Sequence, residues 1–323
     1  MIRTPSVVPS YFGKVPSADD FISSPGSDHR LVHRLDRWLA ECMARLAEFP
    51  GWQAAYDATG PFDILAATTA SNSVAAASCR PSQDRAGRRF PLLACLRVRS
   101  RTPISFAASA PASIATIWSR MQHDLAQLHG ADDTGASLRA MSMSTVSLPG
   151  RADHTAKALD EYVATVSVAD LDQLIAAAGH DTQVLHVLAA LHPLLRAVAA
   201  QPGVGIHRGL ILPLPADPLR RPRVAAFWMT QVVTYLAGRD VEVVALLATT
   251  PTPRLVLSLD GTRGTELTAA VHADWVRDAY IDLTSAPPPS REQLPSRTPA
   301  SPHVALSRLS DAFLSAHREI RNA

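Results

Sequence analysis

Hydrophobic residues return at three- and four-residue intervals between Asp28 and Glu48, where Leu31, Leu35, Trp38, Cys42 and Leu46 form one stripe. That period predicts an amphipathic helix with one buried face. Shorter apolar runs at residues 62–68, 74–79 and 90–98 read as strands, and residues 112–128 as a further helix. The second half repeats the mixture. Residues 181–199 carry Val184, Leu188, Leu191, Leu195 and Val198 on one helical stripe, with Pro193 expected to kink it. "HRGLILPLP" reads as a strand and "VAAFWMTQVVTYLA" as a helix. "VEVVALLATT" and "PRLVLSLD" read as a hairpin about the turn at Pro251 and Pro253, and a helix is expected over 264–274. The class is α+β, with two small mixed or antiparallel sheets flanked by helices.

Periodicity is lost in "MSMSTVSLPGRADHTAKALDEY", which holds Pro149 and Gly150, so a boundary is placed there. The expected organisation is one domain over 1–148, a second over 149–284, and a tail over 285–323. The tail starts as the Pro/Ser-rich "TSAPPPSREQLPSRTPASP", an extended tether by composition. Its last part reads as a helix capped by Ser301, with Pro302 at the first helical position. Leu306, Leu309, Phe313, Ala316 and Ile320 share one face of it, opposite Arg308, Asp311 and Arg318. An isolated helix of this length is marginal in water, so the stripe is expected to fold back on the body of the chain, with a helix-in-groove anchor for the partner as the alternative.

A chain of 323 residues with 47% hydrophobic and 19% charged residues is globular, and 25 prolines against 15 glycines point to pinned connections. Net charge is only +2, too mild for the usual nucleic-acid binder. The charge is nevertheless uneven. Between Arg80 and Arg101 stand seven arginines and one acid, Asp84, a local charge of +6. Cys42, Cys79 and Cys95 share no CxxC spacing, so neither a disulfide framework nor a zinc cage is indicated. The opening "MIRTPSVVPSYFGK" has no apolar leader pattern, and the run "VVALLA" is far short of the ~20 residues that span a bilayer. A cytoplasmic protein without nucleic-acid partner, membrane insertion or cofactor is expected.

Several strings imitate catalytic signatures and lack the rest of them. "DDTGAS" contains the Asp133-Thr134-Gly135 triplet of aspartic proteases, but no second copy supplies the partner carboxylate. "LSLDGTRG" sets Asp260 and Gly261 after a strand, as in metal-dependent phosphatases, without the further carboxylates that two ions need. His29 and His33 lie one helical turn apart with no third ligand in sight. "GVGIHRG" misplaces the last glycine of a dinucleotide fingerprint, and no G-x-S-x-G elbow is present.

Two polar motifs remain. "YFGKVPSADDF" brackets Gly13, Lys14, Pro16 and Asp20 with aromatics, and "PSQDRAGRRFPLL" runs a charged turn into a buried strand. Gly87 suits the reversal, and Asp84 can bond its own backbone. Asp20, Asp36 and Asp84 are expected to pair with Arg85 or Arg88 and lock these loops to the sheet. Alternation along "LRVRSR" is expected to turn Arg97, Arg99 and Arg101 to one solvent-facing side of a strand.

At these residues the sequence resembles the TagF family, also called ImpM, of type VI secretion system-associated proteins. The resemblance rests on Gly13-Lys14-Val15-Pro16, on Asp20-Phe21-Ile22, and on Asp36 and Trp38-Leu39 of the following helix. It continues in Pro81, Ser82, Asp84, Arg85, Gly87, Arg88, Phe90, Pro91 and Leu92. It covers roughly residues 10–130; the second half, with Phe227-Trp228, is only loosely similar. One departure is Asp19, where the family usually has glycine, so the turn there needs either an Asp in the left-handed region or a different geometry.

The resemblance implies a non-enzymatic, post-translational negative regulator of the secretion apparatus that acts by protein binding. Its implied partner is a component of that apparatus, with a forkhead-associated scaffold protein as the named candidate. Some relatives are fused to, or work beside, a serine/threonine phosphatase, which this chain lacks. The two rival readings are a hydrolase at Asp260 and a small-anion sensor at the arginine-rich turn.

Overall fold

A computed structural model describes residues 6–148, 152–200, 207–236 and 239–321. Its first part contains β1 (Ser6–Val7), β2 (Ser10–Gly13), β3 (Ile22–Ser23), α1 (His29–Leu46), α2 (Trp52–Asp57), β4 (Phe62–Thr68), β5 (Ser73–Arg80) and β6 (Leu92–Arg99). Helices α3 (Pro103–Ser113), α4 (Ala115–His129) and α5 (Thr134–Ser142) follow, then β7 (Val146–Ser147) and α6 (Ala152–Thr165). Next come α7 (Val168–Ala177), α8 (Val184–Ala200), β8 (Gly209–Pro213), α9 (Arg221–Tyr235), β9 (Glu242–Ala248) and β10 (Arg254–Ser258). The chain closes with α10 (Glu266–Val271), β11 (Tyr280–Asp282) and α11 (Leu306–Arg321).

The α+β class stands, but the strands do not divide into two small sheets. Nine of them form one sheet in the order β11-β8-β10-β9-β4-β5-β6-β2-β3, and β1 and β7 form a separate pair. All neighbours in the large sheet are antiparallel except β8 and β11. The halves of the chain meet where β4 pairs with β9, from Phe62 opposite Ala248 to Thr68 opposite Glu242. Each strand is apolar on both faces, so both edges of the join can be buried. The boundary expected near residue 149 falls on residues outside those described.

Side chains alternate between two cores. Leu65 and Ala67 of β4, Leu92 and Ala94 of β6, and Val243, Ala245 and Leu247 of β9 face the larger core, which α3, α4, α8, α9 and α11 cover. Phe62, Ile64, Leu93, Cys95, Val244 and Leu246 point the other way, toward α1 and α10. The result is three layers, helices on both faces of a mostly antiparallel sheet.

Two expectations about helices need correction, at residues 112–128 and at the start of the terminal helix, while α8 holds Pro193 inside it as expected. The single helix over 112–128 is two, α3 and α4, which meet at Ile114. The terminal helix begins at Leu306, not at Pro302, because residues 302–306 are committed elsewhere. Val168 N donates to Val304 O, Ala169 N to Pro302 O and Leu306 N to Val166 O, which pin this stretch, a turn ending in an isolated bridge between Ala305 and Ser167, against the start of α7. Leu306, Leu309 and Phe313 are buried in the larger core, so α11 does fold back on the body. Among the described residues no helix is long and apolar enough to cross a membrane.

Candidate functional site

Strand β2 ends at Gly13, where φ is +130°. A Cβ there would lie 2.3 Å from Pro91 O and 2.7 Å from Leu92 Cα, so only glycine lets β2 approach the entry to β6 this closely. The next residue, Lys14, is thereby carried beneath the 82–90 turn. Its Nζ lies 2.8 Å from Asp84 Oδ2 in a nearly solvent-free pair. It also stands 5.0 Å from the centre of the Phe21 ring, within cation–π range.

Asp84 organises the turn. Its Oδ1 accepts from Ala86 N (3.1 Å) and Arg88 N (2.9 Å), and its Oδ2 accepts from Lys14 Nζ and from Arg88 Nε (2.7 Å). Gly87, at φ +78°, closes the reversal with Gly87 N donating to Asp84 O. Burial works to raise this carboxyl's pKa, but hydrogen bonds from Lys14 and from the backbone and side chain of Arg88 outweigh it and hold the value well below the usual range. The Asp84→Asn variant is therefore expected to melt several degrees lower at neutral pH, because Lys14 is left buried beside a neutral amide. A group with a depressed folded-state pKa contributes above its unfolded value of about 4 and loses that contribution as pH falls toward the folded value. The gap between wild type and variant should narrow below about pH 4, as thermal melts from pH 7 to 2.5 will show; a constant gap would remove Asp84 from this role.

The loop from Pro16 to Phe21 is zipped to the same turn. Pro16 is exposed at its tip, and Arg85 N donates to Ala18 O. Arg85 reaches Asp19 Oδ2 at 3.1 Å and Ser17 O, while Arg88 Nη2 donates to Asp19 O at 2.6 Å. Asp19 does not take a positive φ, so the departure from glycine is met by a different geometry in which its carboxylate serves Arg85. Asp20 accepts from Phe21 N. Phe21 is 42% exposed, stacked on Phe12 at 5.2 Å and edge-on to Phe90 at 4.9 Å. Behind the turn, the Tyr56 hydroxyl accepts from Ser82 N and donates to Ser82 O, and Pro81 leads out of β5.

Gly13, Lys14, Pro16, Asp20, Phe21, Pro81, Ser82, Asp84, Arg85, Gly87 and Arg88 thus form one cluster, in which Gly13, Lys14, Ser82 and Asp84 are buried beneath the exposed Pro16, Asp20, Phe21, Arg85 and Arg88. The expected pairings differ in detail: Asp84 takes Lys14 and Arg88, Arg85 takes Asp19, and neither Asp20 nor Asp36 pairs with either arginine. Asp36 lies half-buried on α1, where burial pushes its pKa up against the opposing charge of His33. Trp38 belongs to another place: its Nε1 donates to Glu266 Oε2 at 3.1 Å, on the far side of α1.

The arginines of β6 separate as well. Arg97 is not a free surface cation; its Nε lies 2.6 Å from Asp28 Oδ2. Asp28 caps α1 by accepting from Leu31 N, and the Arg97 bond is the main cause of its lowered pKa. Arg99 is exposed at the end of β6, and Arg101 is exposed beyond it, in a bend outside the strand.

Two contributors lay outside the expected set, Phe12 and Tyr56, and Phe12 was signalled by the aromatic bracket around the Gly-Lys motif. Glu266, which anchors Trp38 elsewhere, was signalled only by an acid directly before the apolar run "LTAAV". Asp260 is exposed beside Gly261, whose N donates to Glu242 O. Among the described residues no group of three or more His, Cys, Asp and Glu is placed to share a metal ion.

Fold and site together define an α+β protein whose first half presents a hairpin and a turn clamped around one buried carboxylate. Residues 10–143 match the TagF N-terminal domain, described as type VI secretion system-associated, so this part of the chain carries a domain of that kind. No curated protein matches the chain. Among solved structures it is similar to PA0076 from Pseudomonas aeruginosa PAO1, at 13% identity and a TM-score of 0.45, over 82% of this chain and 94% of that one.

Proposed function

We propose that the protein is a cytoplasmic, post-translational regulator that restrains type VI secretion by binding a protein component of the apparatus through the hairpin-and-turn face. The observation that carries the reading is Phe21. Large apolar rings are rarely left open, and this one is held rigid by Phe12 and Phe90 beside Arg85 and Arg88, whose side chains are each 61% exposed. Rigid aromatics flanked by arginine are the residue types that dominate binding energy at protein interfaces. The exposed guanidinium edges of Arg85 and Arg88 offer further donors to a partner's carboxylates, which favours a rate of association that falls with salt. A forkhead-associated scaffold protein, the partner named by the family resemblance, is the first to test.

Deleting the gene in a strain with a competent apparatus should raise effector export with unchanged transcript levels of the secretion genes. Wild type should restore restraint, and Phe21→Ala, folded by circular dichroism, should fail to. Unchanged export on deletion would sink the regulatory reading; full restraint by the variant would sink the face. The proposed mechanism is binding without turnover. Metal-dependent hydrolysis of a generic phosphate ester by the purified protein, lost in Asp260→Ala, would replace it with the hydrolase.

A further inference from the structure

A cleft of about 340 Å³ opens beside the start of the 82–90 turn, between the end of β5, the end of α2 and the end of α4. Arg80, Ser82, Gln83 and His129 supply its polar wall together with Asp57. Asp57 is neutralised: its two oxygens accept from Arg89 Nε at 2.8 Å and Arg89 Nη2 at 2.6 Å. Arg80, in contrast, has no ion pair or hydrogen bond from its side chain among the described residues. It is half-buried, and its charge lowers the pKa of His129 after burial does, which sets the two groups close together. The Ser82 hydroxyl is buried with no hydrogen-bond partner.

Buried or half-buried polar groups are nearly always satisfied, so an unpaired guanidinium lining the cleft and an orphan hydroxyl on a residue of its wall call for an acceptor. The carbonyl end of α4 supplies a partial negative charge of about one half, less than the full charge of Arg80. The donors outnumber what a carboxylate's two oxygens can take. An Arg fork, a hydroxyl, an amide and an imidazole match the three terminal oxygens of a phosphate group. The cleft has room for several waters, more than a bare ion fills. Pro16, Pro61 and Pro81 line the remainder with apolar surface.

We propose that this cleft binds a small phosphate monoester, its phosphate on Arg80, Ser82 and His129 and its organic part against the three prolines. The site is separate from the exposed arginines of the turn, which are already paired with Asp84 and Asp19. It does not rest on the regulatory reading: the purified chain tests it without any secretion assay, and either reading can fail alone.

Calorimetric titration of the full chain with glycerol 3-phosphate at constant ionic strength should show one saturable site. Inorganic phosphate should bind more weakly. Arg80→Met, which keeps the aliphatic stem, should weaken the ester at least about tenfold, since a charge-assisted hydrogen bond is lost. Ser82→Ala should weaken it less, and provides an independent variant if Arg80→Met is poorly folded. Arg45→Ala, on an exposed pair with Glu48 away from the cleft lining, should leave binding unchanged. No saturable heat from the ester, undiminished binding in both cleft variants, or an equal loss in Arg45→Ala would overturn the site. Inorganic phosphate binding as tightly as the ester would overturn the assignment of an ester.

Discussion

Gly13→Ala is expected to destabilise the fold by about 4 kcal/mol or more, among the larger effects a single substitution produces. Two costs add. At φ +130° an L-residue is strained by about 1–3 kcal/mol. The new methyl would also sit 2.3 Å from Pro91 O and 2.7 Å from Leu92 Cα, and neither backbone atom can step aside by changing rotamer. Relief requires β2 to move off β6, which breaks the ladder of Ser10, Tyr11 and Phe12 against Cys95, Ala94 and Leu93 and withdraws Lys14 from Asp84. Gly87→Ala is the control. Its φ of +78° is also left-handed, but nothing lies within 4 Å of a Cβ there, so only the backbone term of about 1–2 kcal/mol applies. Denaturant titration of the two variants separates them; equal losses would mean that the approach to Pro91 is not what demands glycine.

Glu266→Ala should cost about 3 kcal/mol or more. The Glu266 side chain is fully buried and accepts from Trp38 Nε1 at 3.1 Å, Ser258 Oγ at 2.9 Å and Arg263 N at 2.7 Å. Cys42 Sγ lies 3.8 Å away. Removing the shared acceptor leaves several donors buried and unmet at roughly 1–3 kcal/mol each. Glu266→Gln keeps one acceptor oxygen and should lose less. The near-ultraviolet signal of Trp38 should change in both variants, since its N–H partner is altered. A variant as stable as wild type would show that α1 is held to α10 by the apolar contacts of Leu39 and Leu267 alone.

Local pattern made most elements legible. The stripe from Leu31 to Leu46 is the buried face of α1, and residues 62–68 are β4 residue for residue. The hairpin about Pro251 is β9 against β10. Elements with no amphipathic period were harder to see. Helix α3 is "PISFAASAPAS", with Phe106, Ala107, Ala108 and Ala110 buried and Pro111 inside it, so it offers neither a polar face nor a clean stop. Strand order was out of reach for a different reason: an apolar run records that a strand is buried on both faces but not which strand, 180 residues away, lies beside it.

The same limit applies to the site. Gly13, Lys14, Phe21, Asp84, Arg85 and Gly87 were all picked out as residue types, yet the Lys14–Asp84 pair spans 70 positions and no spacing rule reports it. Charge alternation put Arg97, Arg99 and Arg101 on one solvent-facing side of a strand, but the side that Arg97 takes is where Asp28 caps α1, and Arg101 lies beyond the end of β6. A strand's period tells direction; whether an acid waits there is decided by the packing of another element.

The junction of β4 with β9 bears on how this chain is inherited and handled. The segment that matches the family ends its share of the sheet at Phe62–Thr68, and every residue of that strand finds its outer partner in Glu242–Ala248, far outside the matched segment. Cut at residue 143, the gene would encode a chain with one raw apolar edge, an open template for strand addition. Such a fragment would look for its missing neighbour in other copies of itself, so the two parts travel best as one reading frame.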